Sequence, residues 1–449
     1  MTSVEISTDP RLQRILTHPD DDNAVWHGDL DRFLSGDVTL TRKSAGEAAV
    51  KAVQRLLIFL GYSTSASGAF QVDGDFGRGT NRGVAQFQVE HALTSAITRD
   101  QLCYPCKWNT AGRLITAIPD SKLTIATVQR MAAVALERIA NGEVMCGSLD
   151  DALFHLNALH KRRFLDSRAI LKRYGAEAVA ACKALEAEDG TACHPEWLLA
   201  IVRQETAGVI RPRFEQHYLA RLNACHAGAP LAELRMRSMS LGLGQIMGEN
   251  HRAVGAANAS VLFTAPVTEQ LAFIARFLRP RKDIVRKANP TEQDFRSIAR
   301  FYNGPGYEAH QYHESLGRWF SEFRLLIERE GCPAPMASRP LPTLVATSTP
   351  LPSTGSTPAV TTPESRQRQR YSLASKPANL CWFRKTTRVQ LMQVTEPFEV
   401  DTQEGVLLIA PDTVDDWDDG YFVAYPDDGT KPYAIAPAYV RANYEPAPS

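Results

Sequence analysis

Apolar residues recur along this chain at helical spacing for most of its length and change texture near its end. Beyond Ala48, the positions Val50, Val53, Leu56, Leu57 and Leu60 fall at three- and four-residue steps and stop at Gly61, which predicts an amphipathic helix. A turn-rich insert follows, then Val72-Asp73-Gly74-Asp75-Phe76-Gly77, then a second helical stretch over Asn81–Gln88. Helical spacing continues through Val128, Met131, Ala132, Val134 and Leu136, then Leu149–Leu159 and Ala178–Leu185. Pro195 suits the first turn of a further helix, where its missing N–H would have no partner anyway, and Trp197–Gln204 runs without a breaker. Towards the end the period changes. Val389–Val394, Phe398–Thr402, Val406–Ile409 and Tyr421–Tyr425 are short β-branched or apolar runs cut by Pro, Asp and Gly, the pattern of strands. The first 44 residues are polar, with Pro10, Pro19 and Asp20-Asp21-Asp22, and are expected to be loosely ordered, turning helical near Asp29–Leu34.

Between the helical and strand-like regions, residues 333–378 hold about a third of the 27 prolines, mixed with Ser and Thr. Such a composition cannot bury a core and predicts an extended, disordered linker. It includes the basic Arg366-Gln367-Arg368-Gln369-Arg370, read as a solubilising tether. The predicted fold class is mainly α. Its parts are a leader (1–44), a three-helix module (45–112), a helical connector (113–159), a helical domain (160–332), the linker (333–378) and a small β-rich domain (379–449).

Charge and composition narrow the function classes. With 50 basic and 50 acidic residues the formal net charge is zero, which argues against a general nucleic-acid binder. No apolar run approaches the roughly 18–20 residues that span a bilayer, so no stable membrane insertion is expected. Met1–Pro10 lacks the basic and apolar regions of a Sec-type signal peptide, so synthesis in the cytoplasm is expected. The 8 cysteines are spread too widely for a disulfide scaffold, and Cys103-Tyr104-Pro105-Cys106 has no second pair; free thiols are expected. His217, His226 and His251 lack ligand spacing, and neither metal nor cofactor is expected. Lys161-Arg162-Arg163 reads as a solvated helix face or as a contact for an anionic polymer.

The candidate chemistry begins at Glu205. Helical steps of three, four, seven and eight back from it reach Val202, Ile201, Leu198 and Trp197, so it projects near the apolar face at the C-terminal end of its helix. Desolvation and the negative end of the helix dipole both favour its protonated form. A carboxylic acid that keeps its proton near neutral pH is what glycosidic cleavage needs, because the leaving oxygen must be protonated as the bond breaks. From this segment alone, a surface glutamate closing a core helix is the simpler reading. Further on, Ser240-Leu241-Gly242-Leu243-Gly244-Gln245 allows close backbone approach. Tyr302-Asn303-Gly304 sets a ring and an amide before a Gly-Pro-Gly turn, suited to stacking on and hydrogen-bonding a sugar.

Taken in order, these elements resemble the lysozyme-like superfamily, with its catalytic Glu, Gly-Leu-x-Gln and Tyr-Asn-x-Gly motifs. They are most similar to the N-acetylmuramidase domain of modular phage endolysins, in Gln204-Glu205, Phe214-Glu215-Gln216-His217, Ser240 through Gly248, and Ala299 through Tyr307. The resemblance spans roughly residues 160–325. It implies a helical lysozyme-like fold that hydrolyses the β-1,4 bond between N-acetylmuramic acid and N-acetylglucosamine, with Glu205 as general acid. His217, Ser240, Gln245, Tyr302, Asn303 and Tyr307 are the candidate substrate contacts. The sequence departs from the family pattern at Gln204, where valine is usual, and at Thr206-Ala207, where a serine-glycine pair is usual. The second carboxylate stays open between Glu215, then Glu249, and none, since a lytic transglycosylase uses one acid/base to close the muramic 6-hydroxyl onto C1. A non-catalytic wall-binding protein is the third reading. Residues 45–110 resemble the three-helix peptidoglycan-binding module through Val53-Gln54, Leu57, Gly61-Tyr62, Val72-Asp73-Gly74, Gly77, Thr80, Val84 and Phe87-Gln88, with function expected in exposed groups around Asp73–Gly77. The tail resembles the PGDYG domain through Asp418-Asp419-Gly420-Tyr421 and neighbouring turns. Together these imply peptidoglycan as partner, reached after holin-assisted release or through a secretion system with an immunity partner.

Overall fold

A computed structural model describes residues 3–21, 30–36, 40, 47–104, 107–108, 114–115, 120–332, 370–371, 381–384, 388–402, 405–409, 420–426, 432–435, 437, 440 and 445–446. Cys106 of the CxxC and nearly all of the Pro/Ser/Thr-rich linker lie outside them. The chain divides into two compact units, Met1–Pro342 and Thr343–Ser449.

The first unit is helical and shares one continuous apolar core from Ile6 to Leu326. Its N-terminal part corrects an expectation. Where described, the leader is not loose: besides α3 (residues 30–34), which falls where a helix was expected, α1 (Ser3–Thr8) and α2 (Pro10–Leu16) are helices, and Leu12, Ile15 and Leu16 are buried. Asp9 caps α2 by accepting from the N–H groups of Arg11 and Leu12. The reason sequence period misses this is length, because helices of 6 and 7 residues are too short to display it. They are stable only because they pack on α4 (Glu47–Phe59), α7 (Ile125–Asn141) and α8 (Leu149–His160). Buried Arg55 on α4 closes the joint by donating to the carbonyls of Ile15 (2.7 Å) and Thr17 (2.8 Å) and to Oδ1 of Asn157 (2.7 Å).

In the module, the turn that the sequence marks with Asp73-Gly74 joins α4 to α5 (Arg78–Glu90), and the single-turn α6 (Arg99–Leu102) follows. Gln54 staples that turn. Its Nε2 donates to Asp73 Oδ1 (2.6 Å) and Thr80 Oγ1 (3.0 Å), and its Oε1 accepts from the N–H of Asp73 (3.0 Å) and Gly74 (2.9 Å). Gln88 likewise reaches across to the Lys122 carbonyl and Thr127. The polar residues that carry the module's resemblance are therefore spent on holding its fold.

The larger part of the unit is built around α10 (Pro195–Thr206), whose residues Trp197 to Val202 are wholly buried. It packs against α9 (Ser167–Asp189) and α17 (Tyr312–Glu330), and α9 packs in turn on α14 (Val267–Leu278). Trp197 meets Phe320 and Phe295 at ring-centroid distances of 4.7 and 5.1 Å, joining α10 to α17 and to α16 (Glu292–Asn303). After the short antiparallel pair β1 (Lys107–Trp108) and β2 (Leu114–Ile115), β3 (Arg213–Phe214), β4 (Met239–Leu241) and β5 (Ile246–Met247) form an antiparallel three-stranded sheet beside these helices, with Arg213 opposite Ser240 and Leu241 opposite Ile246. Two further short helices, α11 (Gln216–Cys225) and α12 (Leu231–Arg237), lie between β3 and β4, and the single-turn α13 (Val261–Thr264) and α15 (Lys282–Val285) come before and after α14 in the chain.

The second unit is a β structure. Strands β7 (Cys381–Arg384), β8 (Arg388–Val394), β11 (Tyr421–Pro426), β12 (Tyr433–Ile435) and β13 (Glu445–Pro446) form a sheet in the order 12-11-8-7-13. A second sheet holds β9 (Phe398–Thr402) between β10 (Gly405–Ile409) and β6 (Arg370–Tyr371). Its core holds Phe398, Val400, Ile409, Val423 and Tyr425.

Candidate active site

Glu205 sits in the last turn of α10, followed by Ala207 in the left-handed region (φ +45°), which ends the helix. The segment after this stop doubles back through Arg211 and Pro212 into β3. The Tyr312 hydroxyl, at the start of α17, donates a hydrogen bond to Glu205 Oε1. Arg211 Nη2 lies 3.5 Å from the Glu205 main-chain carbonyl and stacks on the Phe164 ring at 5.0 Å. Burial lifts the Glu205 carboxyl from its ordinary 4.5 to about 7; the Tyr312 hydrogen bond and the Arg211 charge pull the other way and do not offset it. Near neutral pH a large fraction of Glu205 therefore keeps its proton.

The glycine-rich segment is held against this helix end. Thr206 Oγ1 lies within hydrogen-bond distance of the Val202 (2.9 Å) and Leu243 (3.1 Å) carbonyls, and the Leu243 N–H donates to Gln270 Oε1 (2.9 Å). Gly244 leaves room for Tyr302: a Cβ there would lie 2.7 Å from the Tyr302 hydroxyl and 2.6 Å from Ile274. That hydroxyl donates to the Gly244 carbonyl (2.7 Å). The close approach foreseen for these glycines is thus made to neighbouring helices, and it fixes Tyr302 beside Glu205.

A groove of about 750 Å³ opens over Glu205, within the range of pockets that enclose a ligand. Of the sequence-derived candidates, Glu205, Glu215, Ser240, Gln245, Tyr302 and Asn303 line it. Asn303 closes α16, and its side-chain amide has no partner among the described residues. Gln245 is held with φ +48° while its Nε2 donates to the Gly242 carbonyl (2.9 Å). Two candidates lie elsewhere. Tyr307 is buried against His313, with its hydroxyl on Glu308, and His217 is an exposed residue 3.6 Å from Glu215.

The two alternative carboxylates differ in their surroundings. Glu215 borders the groove with Arg213 Nε at 3.0 Å. Glu249 is gripped by Arg237 through Nε (2.7 Å) and Nη2 (2.9 Å), which holds its carboxyl below the usual range, and it does not line the groove. Among the described residues, no cluster of His, Cys, Asp and Glu is close enough to hold a metal ion.

Several residues in or beside the groove had no sequence signal of their own. Tyr312 lies 107 positions from Glu205 and follows a turn whose motif drew attention to Tyr307 instead. Phe164, with 43 % of its surface exposed, presents an apolar face beside Arg162 and Arg211. Arg162 belongs to the basic run read as a solvated face or polymer contact; it borders the groove, while Lys161 is paired with Asp21 at 2.7 Å. Ala69, Phe70 and Gln71 come from the turn-rich insert of the module.

Compared with known families, residues 160–324 match the model for N-acetylmuramidase, and residues 46–95 match the model described as "Putative peptidoglycan binding domain". Neither matched span reaches the C-terminal unit. No curated protein matches the chain. Among solved structures it is similar to the crystal structure of Burkholderia AP3 phage endolysin, with 17% identity over 62% of this chain and 95% of that one and a TM-score of 0.27. Among the described residues, no helix is long and apolar enough to cross a membrane.

Proposed function

We infer that in this chain, a peptidoglycan hydrolase with an N-acetylmuramidase domain and a peptidoglycan-binding domain, Glu205 is the general acid. The observation that carries the reading is the state of Glu205: a carboxyl lining the groove whose burial lifts it to about 7, so that a large fraction keeps its proton near neutral pH. As the β-1,4 bond between N-acetylmuramic acid and N-acetylglucosamine breaks, Glu205 gives its proton to the leaving oxygen and positive charge builds on the sugar ring. Tyr312 orients the carboxyl through its hydrogen bond. Phe164 offers its exposed face to a sugar ring, and Asn303 and Gln245 offer amides to the glycan's hydroxyl and N-acetyl groups.

Glu215 is the carboxylate assigned to the second role, activating water or balancing charge, since it borders the same groove and Arg213 and His217 orient it. Glu249 is committed to Arg237 and is given no chemical role. The chain reaches its polymer by release or delivery across a membrane, and a neighbouring holin or immunity gene distinguishes the two routes.

Digestion of purified sacculi followed by mass spectrometry tests the reaction. Reducing muramic ends are expected; 1,6-anhydromuramic ends would replace hydrolysis by transglycosylation. Glu205→Gln is expected to lower the rate of clearing by about 10²–10⁴-fold, the usual contribution of a positioned acid. A variant that clears sacculi like the parent would remove Glu205 from that role.

A further inference from the structure

The module matched as peptidoglycan-binding is not held at a distance from the groove. Its insert, residues 63–71, is docked on the strand that leads out of the helix carrying Glu205. Ala69 pairs with Arg213 as an extra antiparallel bridge on β3, and the Phe214 N–H donates to the Gly68 carbonyl (2.9 Å). Gly68 is required there: its φ is +89°, and a Cβ would lie 1.9 Å from the Phe214 carbonyl oxygen. Arg82 on α5 braces the insert by donating to Ser63 Oγ (3.0 Å) and the Ser65 carbonyl (2.8 Å), with its guanidinium 4.9 Å from the centre of the Phe214 ring. The insert is also closed on itself, since the Ser65 N–H donates to the Ala69 carbonyl (3.0 Å) and the Gln71 N–H to Thr64 Oγ1 (2.8 Å).

This rigid insert forms part of the groove wall through Ala69, Phe70 and Gln71. Its polar chemistry is unspent at one place. Gln54, Asp73, Thr80 and Gln88 of the module are consumed internally, whereas the side-chain amide of Gln71 makes no hydrogen bond among the described residues.

We propose that residues 69–71 are a glycan subsite of the catalytic groove, with the Gln71 amide hydrogen-bonding a sugar away from the scissile bond. The substrate class follows from the assignment of the groove to peptidoglycan cleavage, on which this proposal rests. The module then binds the same strand that the catalytic domain cuts, on one continuous surface. Because the insert is ordered before substrate arrives, little conformational freedom is lost on binding. A subsite contact that holds ground state and transition state equally, as expected for a sugar that does not react, shows its loss in KM and not in kcat.

The test uses the full chain and soluble, uncross-linked peptidoglycan strands. Gln71→Ala is expected to raise KM about three- to tenfold with kcat unchanged, the effect of one neutral hydrogen bond. Ser67→Ala, on the exposed turn of the same insert, is expected to match the parent. In a Glu205→Gln background the dissociation constant for the same strands is expected to rise by the same factor on adding Gln71→Ala. An unchanged KM and dissociation constant overturn the subsite, and so does a fall in kcat at constant KM. The two readings fail separately. If Glu205→Gln remains active while Gln71→Ala weakens binding, the acid assignment falls and the subsite stands. If Glu205→Gln is inactive and Gln71→Ala binds like the parent, the reverse holds.

Discussion

At the scale of single residues, the carboxyl of Glu205 is where opposing influences meet. Burial raises it to about 7, while Tyr312 and Arg211 favour its charged form. The acid must be protonated to act, so activity is expected to fall as pH rises through about 7. Tyr312→Phe keeps the ring but removes the hydrogen bond that stabilises the carboxylate. It should therefore move the alkaline limb of the kcat profile upward, on the order of one pH unit. A downward shift would show that the hydroxyl does not act on Glu205 in this way. The same shift has a consequence for stability. The folded state binds the Glu205 proton more tightly than an unfolded chain with the ordinary value of 4.5, so stability from this group is full below about 4.5 and is lost as pH rises through about 7. Glu205→Gln escapes that loss. Denaturant titrations should find it no more stable than the parent at pH 4, yet more stable by up to about 3 kcal/mol at pH 8.5.

At the scale of elements, the helix carrying Glu205 was legible in the sequence, but which elements pack against it was not. Pro195 and the apolar run to Val202 specify a buried helix by local rules, and Glu205 follows by counting. The glycine-rich segment was equally visible as a place of close approach, but what approaches it comes from elsewhere in the chain: Tyr302 on α16 and Ile274 on α14. Gly244→Ala would drive a methyl group into both. The cost expected from such overpacking is about 1–3 kcal/mol, visible as a lower urea midpoint. Tyr302 should be displaced with it, and activity at a temperature where the variant stays folded should drop more than tenfold. Full activity there would mean that the tyrosine's position is immaterial. The module's signature shows the opposite limit of sequence reading. Asp73 and Asp75 are exposed, as the turn's pattern suggests, but Gln54 ties the turn down, and the amide that faces the groove lies in the less patterned insert before it.

At the scale of the molecule, the joint between module and catalytic domain is made by a buried ion pair. Arg235 on α12 donates to Glu90 on α5 through Nε (2.7 Å) and Nη2 (3.1 Å) and to the Gly61 carbonyl (2.6 Å), with its guanidinium 3.9 Å from the centre of the Tyr62 ring. Both side chains are almost fully enclosed, so removing one partner strands the other's charge out of water. Arg235→Ala is expected to cost about 3–5 kcal/mol in denaturant titration. A second change, Glu90→Gln, should recover part of it, because no charge is then left unpaired. Equal stability of the single and double variants would show that the cost lies in lost packing and not in the orphaned carboxylate.

The sequence by itself determined what local rules can carry: the helical and strand-like regions, the helix-end position of Glu205, and the order of motifs that pointed to a peptidoglycan muramidase. Periodicity, proline, glycine turns and short polar motifs act over a few residues, and so they survive reading in one dimension. The tertiary structure decided which of those residues meet. It set Tyr312 on Glu205, withdrew Tyr307 into the core, committed Glu249 to Arg237, folded the leader helices onto α4, and brought Gln71 to the groove wall. None of these follows from spacing, because desolvation and hydrogen bonding between residues far apart in the chain depend on how separate elements pack, and that packing exists only once the chain has closed its core.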